Sequence, residues 1–211
     1  MSSGAGRLRV AVLVSGTGSN LQAILDAAPN LCIEVCAVLS NRAECYGLER
    51  ARRAGVPAVF VDPKAHADRA AYDAALAEAI DAFRPELVVL AGFMRILSDA
   101  FVRRYEGRLL NIHPSLLPKY RGLDTHARCL EAGDGEHGAT VHFVVPELDA
   151  GPIVLQARVP VLPDDTPEAL AARVLEQEHR IYPAAIGWFA EGRLALQGGL
   201  ALLDGNPLPA P

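Results

Sequence analysis

The strongest constraint in this chain is a repeated unit: a short apolar run, a loop of small or polar residues, then apolar residues at helical spacing. Leu8 to Val14 is apolar apart from Arg9 and leads into Ser15-Gly16-Thr17-Gly18-Ser19-Asn20. Leu21, Ile24, Leu25 and Ala28 then recur as one helix face, and Pro29 stops that segment. The unit returns as Ile33 to Leu39 followed by a helical stretch from Ala43 to Ala54, closed by Gly55. It returns again as Ala58 to Val61 followed by Arg69 to Phe83, with Leu87 to Leu90 as a fourth apolar run. Strands that are apolar without alternation are buried on both faces, which is the habit of parallel sheets covered by helices. The pattern therefore predicts an α/β fold around a mostly parallel central sheet. Right-handed crossovers put the ligand crevice at the carboxyl ends of such strands. Those ends carry SGTGSN, then Ser40-Asn41, then Ala91-Gly92-Phe93-Met94-Arg95.

The second half is less regular. Leu109 and Leu110 enter Asn111-Ile112-His113-Pro114, and Ser115 to Thr125 is a long loop bearing Pro and Gly. Thr125 is placed to cap a short helix reaching Leu130. Val141 to Val145 and Ile153 to Val159 read as strands, joined by Pro146 to Pro152. Pro167 to Phe189 reads as a long helix with Thr166 as N-cap, bent or reset at Pro183. Gly198-Gly199 and Asp204-Gly205 mark a small terminal hairpin. With 211 residues, 51% of them hydrophobic, the chain supports one core and is read as one domain.

A net charge of −5 gives no general attraction to nucleic acid or to an anionic membrane. It leaves room for a small anionic ligand, because a local Arg or a helix N-terminus dominates at short range. The four cysteines, Cys32, Cys36, Cys45 and Cys129, form no ligand cluster, so no metal is expected. Cys32 and Cys36 would share a buried face of one strand. The apolar run at Val10 to Val14 is too short for a leader peptide or a membrane span, and a reducing cytoplasm is the expected compartment.

Two groups of residues carry chemistry. The first is the glycine loop, which lacks the third glycine of a dinucleotide fingerprint because Leu21 holds that position. It also lacks the Gly-Lys-Ser/Thr of a nucleoside-triphosphate loop. It is either an ordinary tight turn or a cradle for one phosphate at the start of a helix. The second group is Asn111, His113 and Asp149. Asn111 and His113 point the same way if the chain is extended there, and Pro114 favours that extension. Asp149, in the turn ELDAGP, is able to orient the imidazole. An amide donor, an imidazole and a carboxylate together suit attack of an amine on a carbonyl. A serine hydrolase is disfavoured because no GxSxG elbow exists.

The strings VLVSGTGSNLQAI, VVLAGFMRIL, LLNIHPSLLPKYRGLDTH, HGATVHFVVPELDAGPI and QEHRIYP resemble the folate-dependent glycinamide ribonucleotide formyltransferase family, and the likeness runs from about Arg9 through Leu203. The resemblance implies a single formyltransferase domain over residues 8–204, with a Rossmann-like nucleotide-fold half at 8–107 and a catalytic and folate-binding half at 108–204. It implies formyl transfer from 10-formyltetrahydrofolate, the cosubstrate, to glycinamide ribonucleotide in purine synthesis. Asn111, His113 and Asp149 match the family's catalytic residues. Gly18, Ser19 and Asn20 match its phosphate loop, and Glu178 a residue that contacts the ribose. Arg69, Met94, Arg95, Ile96 and Leu97, with Asn111, match folate-contacting positions. His126 and His142 match positions at or near the site, and Asp124 departs from the histidine found there in some relatives. The segment from Lys119 to Asp124 is expected to close over the site and exclude water. Nearest among the alternatives is a 10-formyltetrahydrofolate hydrolase using water as acceptor, although its usual extra N-terminal domain is not expected ahead of Leu8. A non-catalytic folate- or nucleotide-binding module is the alternative of a different class. The oligomeric state stays open.

Overall fold

A computed structural model of the protein describes residues 6–208. The first five residues, part of the segment read as lacking a leader, lie outside the described residues.

The first half of the chain alternates strand and helix as expected. Strand β1 (Leu8–Val14) leads to helix α1 (Ser19–Ala27), β2 (Ile33–Ser40) to α2 (Tyr46–Arg53), and β3 (Ala58–Phe60) to α3 (Arg69–Asp81). Then come β4 (Leu87–Leu90), a short α4 (Asp99–Arg104) and β5 (Leu109–His113). Helix α5 (Thr125–Ala132), strands β6 (Glu136–Phe143) and β7 (Ile153–Pro160), and the long α6 (Pro167–Ala190) follow. The chain finishes in β8 (Leu194–Gln197), β9 (Leu200–Leu203) and β10 (Asn206–Pro207), a separate antiparallel meander.

The main sheet has seven strands in the order β3-β2-β1-β4-β5-β6-β7. The first five run parallel, and β6 and β7 add antiparallel at one edge. Strand order reverses between β1 and β4, the place where an open sheet of this kind forms its ligand crevice, at the carboxyl ends of the strands. Side chains of β1 alternate between two cores. Val10, Val12 and Val14 face the layer of α1, α2 and α6, whereas Ala11 and Leu13 face α3 and α4. Each fully buried Val or Leu contributes about 1.5–3 kcal/mol, so a strand feeding both cores anchors the whole sheet.

Several expectations need correction. Cys32 does not share a buried strand face with Cys36. It is exposed, at φ +52°, just before β2 begins, while Cys36 is buried beside a register shift between β1 and β2. Helix α2 starts at Tyr46 rather than Ala43, because Cys45 is still extended. Thr125 does not cap α5. Asp124 holds the cap position at φ +55° without a side-chain bond, and the Thr125 hydroxyl donates to the Pro114 carbonyl at 2.7 Å. Strand β6 begins at Glu136, well before the expected Val141, and ends at Phe143. Helix α6 runs unbroken through Pro183, with Thr166 capping it by accepting from the Ala169 N–H. Among the described residues, no helix is long and apolar enough to cross a membrane.

Candidate active site

Strand β5 is flanked on both sides, by β4 and β6, and its period of two decides which side chains meet. Leu110 and Ile112 enter the core beneath α6, which turns Asn111 and His113 to the opposite face. The His113 ring is buried, at 6% exposure, with both nitrogens committed. Its Nε2 lies 2.9 Å from the Tyr120 carbonyl oxygen, and its Nδ1 lies 3.5 Å from Asp149 Oδ2. Both neighbours only accept hydrogen bonds, so each ring nitrogen faces an acceptor. At 3.5 Å the second contact is an ion-pair distance, longer than a good hydrogen bond and too short to hold another atom between ring and carboxylate.

Asp149 reaches this place through a strained turn. It sits at φ +49°, its Oδ2 accepts the Gly122 N–H at 2.9 Å, and its Oδ1 is 3.8 Å from His142 Nε2. Two residues on, a Cβ at Gly151 would overlap the Phe143 carbonyl oxygen, so only glycine lets the turn lie flat on β6. His142 is the neighbour of Asn111 across the β5–β6 ladder. Its Nδ1 donates to the Phe143 carbonyl at 2.9 Å, leaving Nε2 to accept from Asn111 Nδ2 at 3.2 Å. Burial holds the His142 imidazole below its ordinary range, which keeps it neutral and in that tautomer. The Asn111 amide is thereby oriented, with its second N–H left unpaired among the described residues.

The loop after β5 is stitched over these groups. Thr140 Oγ1 donates to the Ser115 carbonyl at 2.6 Å and accepts from the Leu117 N–H at 3.1 Å. Gln156 donates to the Leu117 carbonyl at 2.9 Å. Asp134 Oδ2 takes Lys119 Nζ and the Tyr120 hydroxyl, each at 2.7 Å. None of these supports was anticipated from the sequence, because each joins a loop residue to a partner fixed only by the fold. The Lys119 to Asp124 segment thus touches both His113 and Asp149.

The glycine loop lies at the head of α1. Gly18 adopts φ +71°, and a Cβ there would stand 2.7 Å from Gly47 Cα, so both backbone conformation and close packing demand glycine. Ser19 and Asn20 open the helix, where backbone N–H groups lack intrahelical partners. Asn20 Nδ2 donates to Glu178 Oε2 at 2.6 Å across 158 residues of sequence. Glu178 is therefore not a solvent-facing helical charge. It is 8% exposed, and its burial raises the carboxyl pKa while Asn20 lowers it. One helical turn on, the Tyr182 hydroxyl donates to the carbonyls of Leu90 and Leu110, at 2.9 and 3.1 Å. Helix α6 thus ties the glycine loop to the strand end that carries Asn111. The loops after β1 and β4 also meet, through Met94 N–H on Ser15 Oγ at 2.8 Å and Ser15 N–H on the Gly92 carbonyl at 3.1 Å.

The remaining expected residues divide. Met94 and Ile96 are about three-fifths exposed, at 61% and 62%, so they are not plain core and offer an apolar surface at the crevice edge. Leu97 packs partly against the α3–α4 core. Arg95 stacks its guanidinium 4.5 Å over the Tyr72 ring. Arg69 is exposed on the first turn of α3. The His126 ring packs edge-on against His137, 5.1 Å between centroids, and burial together with nearby His113 lowers its pKa. Among the described residues, no three His, Cys, Asp or Glu side chains gather as a metal site would require.

The profile of the family described as Formyl transferase matches residues 8–186. The phosphoribosylglycinamide formyltransferase of Escherichia coli (strain K12) is 56% identical over 204 residues, covering 96% of this chain and 96% of that protein. The solved structure of the phosphoribosylglycinamide formyltransferase from Coxiella burnetii superposes with a TM-score of 0.92 at 51% identity, covering 96% of each chain. A formyltetrahydrofolate deformylase from Pseudomonas syringae superposes with a TM-score of 0.85 at 27% identity, over 94% of this chain and 66% of that one.

Proposed function

The chain belongs to the formyl transferase family, among its phosphoribosylglycinamide formyltransferases, and on that premise we propose how its own residues perform the reaction. The enzyme moves the formyl group of 10-formyltetrahydrofolate to the amine of glycinamide ribonucleotide in purine biosynthesis, releasing formylglycinamide ribonucleotide and tetrahydrofolate. The observation that carries the assignment of residues is the approach of His113 Nδ1 to Asp149 Oδ2, 3.5 Å, beside an oriented Asn111.

The N-terminal turn of α1, from Gly18 to Asn20, holds the substrate phosphate, and Glu178 receives the ribose hydroxyls. Met94, Ile96 and Leu97 bear on the pterin, Arg69 and Arg95 on the anionic part of the folate. The neutral amine attacks the formyl carbon, and the carbonyl electron pair moves onto oxygen. The free N–H of Asn111 and the His113 Nδ1 proton face that oxyanion, and one such donor is worth about 3 kcal/mol. The ammonium formed on attack passes a proton to Asp149, directly or through water. Collapse of the tetrahedral intermediate breaks the bond to N10 of the folate, which takes up that proton from Asp149 as it leaves. Tyr120, by accepting from Nε2, keeps the imidazole from rotating away, and no covalent enzyme intermediate is required.

The test supplies purified protein with 10-formyltetrahydrofolate, with and without glycinamide ribonucleotide, and follows folate product and formylated amine together. Folate product that appears only with the amine, in equal amount to formylated amine, is expected. Equal release without the amine would make the protein a hydrolase. A His113→Ala variant whose chemical step keeps the parent rate would remove this residue from the mechanism.

A further inference from the structure

The glycine loop, Ser15 to Asn20, contains no Lys or Arg, and the chain carries a net charge of −5. A phosphate monoester bound there still needs positive charge, and a helix N-terminus supplies only about half an elementary charge. Arg50, on α2, is the cation placed behind the loop. Its Nε donates to the Thr17 carbonyl at 2.8 Å and its Nη1 to Gln22 Oε1 at 3.0 Å, so it grips the chain on both sides of Gly18-Ser19-Asn20. Its Cδ lies 3.4 Å from the position a Gly18 Cβ would take, and the Tyr46 ring covers the guanidinium carbon at 4.9 Å. Close contact of Gly18 with Gly47 brings α2 near enough for this grip, reinforced by the Gly47 N–H on the Gly16 carbonyl at 3.1 Å.

Among the described residues, no carboxylate pairs with Arg50. Its neighbour Glu49 pairs instead with Arg52 and Arg53, at 3.7 and 3.0 Å. Two of the guanidinium's five N–H groups are engaged, both by neutral oxygens. The field of Arg50 reaches the far wall of the crevice as well. The imidazole of His179, next to Glu178 on α6, is held below its ordinary value by burial and by Arg50.

We propose that Arg50 is the positioning residue that makes the glycine loop selective for a phosphate monoester, by fixing the loop's shape and supplying its positive charge. This rests on the reading of Gly18 to Asn20 as the phosphate cradle. The experiment compares kcat/KM for glycinamide ribonucleotide with kcat/KM for its dephosphorylated nucleoside, in the parent enzyme and in Arg50→Ala, Arg50→Lys and Arg50→Gln. In the parent the nucleotide is strongly preferred. In Arg50→Ala that preference falls at least about tenfold, as expected for loss of a charge-assisted interaction. The rate with the nucleoside and the KM for the folate stay near parent values, which a general loss of structure would not allow. Arg50→Lys, which keeps a cation, retains more of the preference than the neutral Arg50→Gln, and this ordering carries the test if Arg50→Ala fails to fold. An unchanged preference in Arg50→Ala, or an Arg50→Gln variant as selective as Arg50→Lys or more so, would overturn the role of Arg50. A parent enzyme that uses nucleotide and nucleoside equally well would instead overturn the phosphate cradle itself.

Discussion

Replacing Asn20 by Ala isolates the bond that joins the two halves of the crevice. Asn20 Nδ2 donates to the Glu178 side chain at 2.6 Å, and both residues are buried. A hydrogen bond to a buried charge is worth about 1.5–3 kcal/mol. Asn20 Oδ1 is itself buried without a partner, so its removal returns part of that loss, and about 2 kcal/mol is expected near neutral pH. For a chain of this size that lowers Tm by about 4–8 °C. The pH dependence sharpens the test. Burial raises the Glu178 carboxyl above its ordinary 4.5, and the Asn20 bond is the opposing influence. The folded chain therefore binds this proton more tightly than the unfolded chain, and Glu178 lowers stability as pH rises from 4.5 through its folded value. Without Asn20 the folded value moves higher still. The stability difference between parent and variant should thus be full above the folded values of both and shrink as pH falls through them. Urea unfolding at several pH values reads this directly, and the same substitution made together with Glu178→Gln should cost less. A destabilisation that is independent of pH, or equally large in the Glu178→Gln background, would refute the reasoning.

Gly151→Ala must displace the Phe143 carbonyl, so a loss of about 1–3 kcal/mol in stability is expected, together with a fall in kcat as Asp149 shifts; parent-like kcat would show that the turn does not set the carboxylate. Burial pushes His137 down to about 4 from 6.5, so the unfolded chain takes up a proton that the folded chain refuses, and acidification between these values removes stability. His137→Gln should flatten that part of the stability–pH curve, and a slope equal to the parent's would count against it. Asp134→Asn weakens the hold on Lys119 and Tyr120, so amide hydrogen exchange in residues 119–122 should accelerate and kcat should fall by about three- to tenfold. Slow exchange as in the parent would mean that Asp134 does not latch the loop.

Much of the first half was legible because its signals are local. Strands β1 and β4 have the bounds read from their apolar runs, and α3 begins at the expected Arg69. Helix α4 went unread although Ser98 is a usable cap, since six residues are too few to show a period. The start of β6 was missed because Glu136-His137-Gly138 lacks apolar alternation, and its strand character comes from pairing with β7. Pro183 reads as a break, yet packing of α6 against the sheet keeps the helix continuous. Asn111 and His113 were legible as a pair because a strand's period of two places them on one face. His142 gained a definite role only from its neighbour across the ladder, and Arg50 gained one only when α2 came to rest under the glycine loop.

What the amino-acid order determined by itself is what depends on near neighbours: which stretches extend, which coil, where glycine is required, and which side chains share a face. The contacts that make a site were decided by the tertiary structure: Asn20 on Glu178, His113 beside Asp149, Tyr182 across Leu90 and Leu110. The physical reason is that local conformation follows from steric and periodic preferences within a few residues. A contact between distant residues follows from strand order and helix packing, and strand order here reflects the burial of two apolar cores rather than any motif at the site.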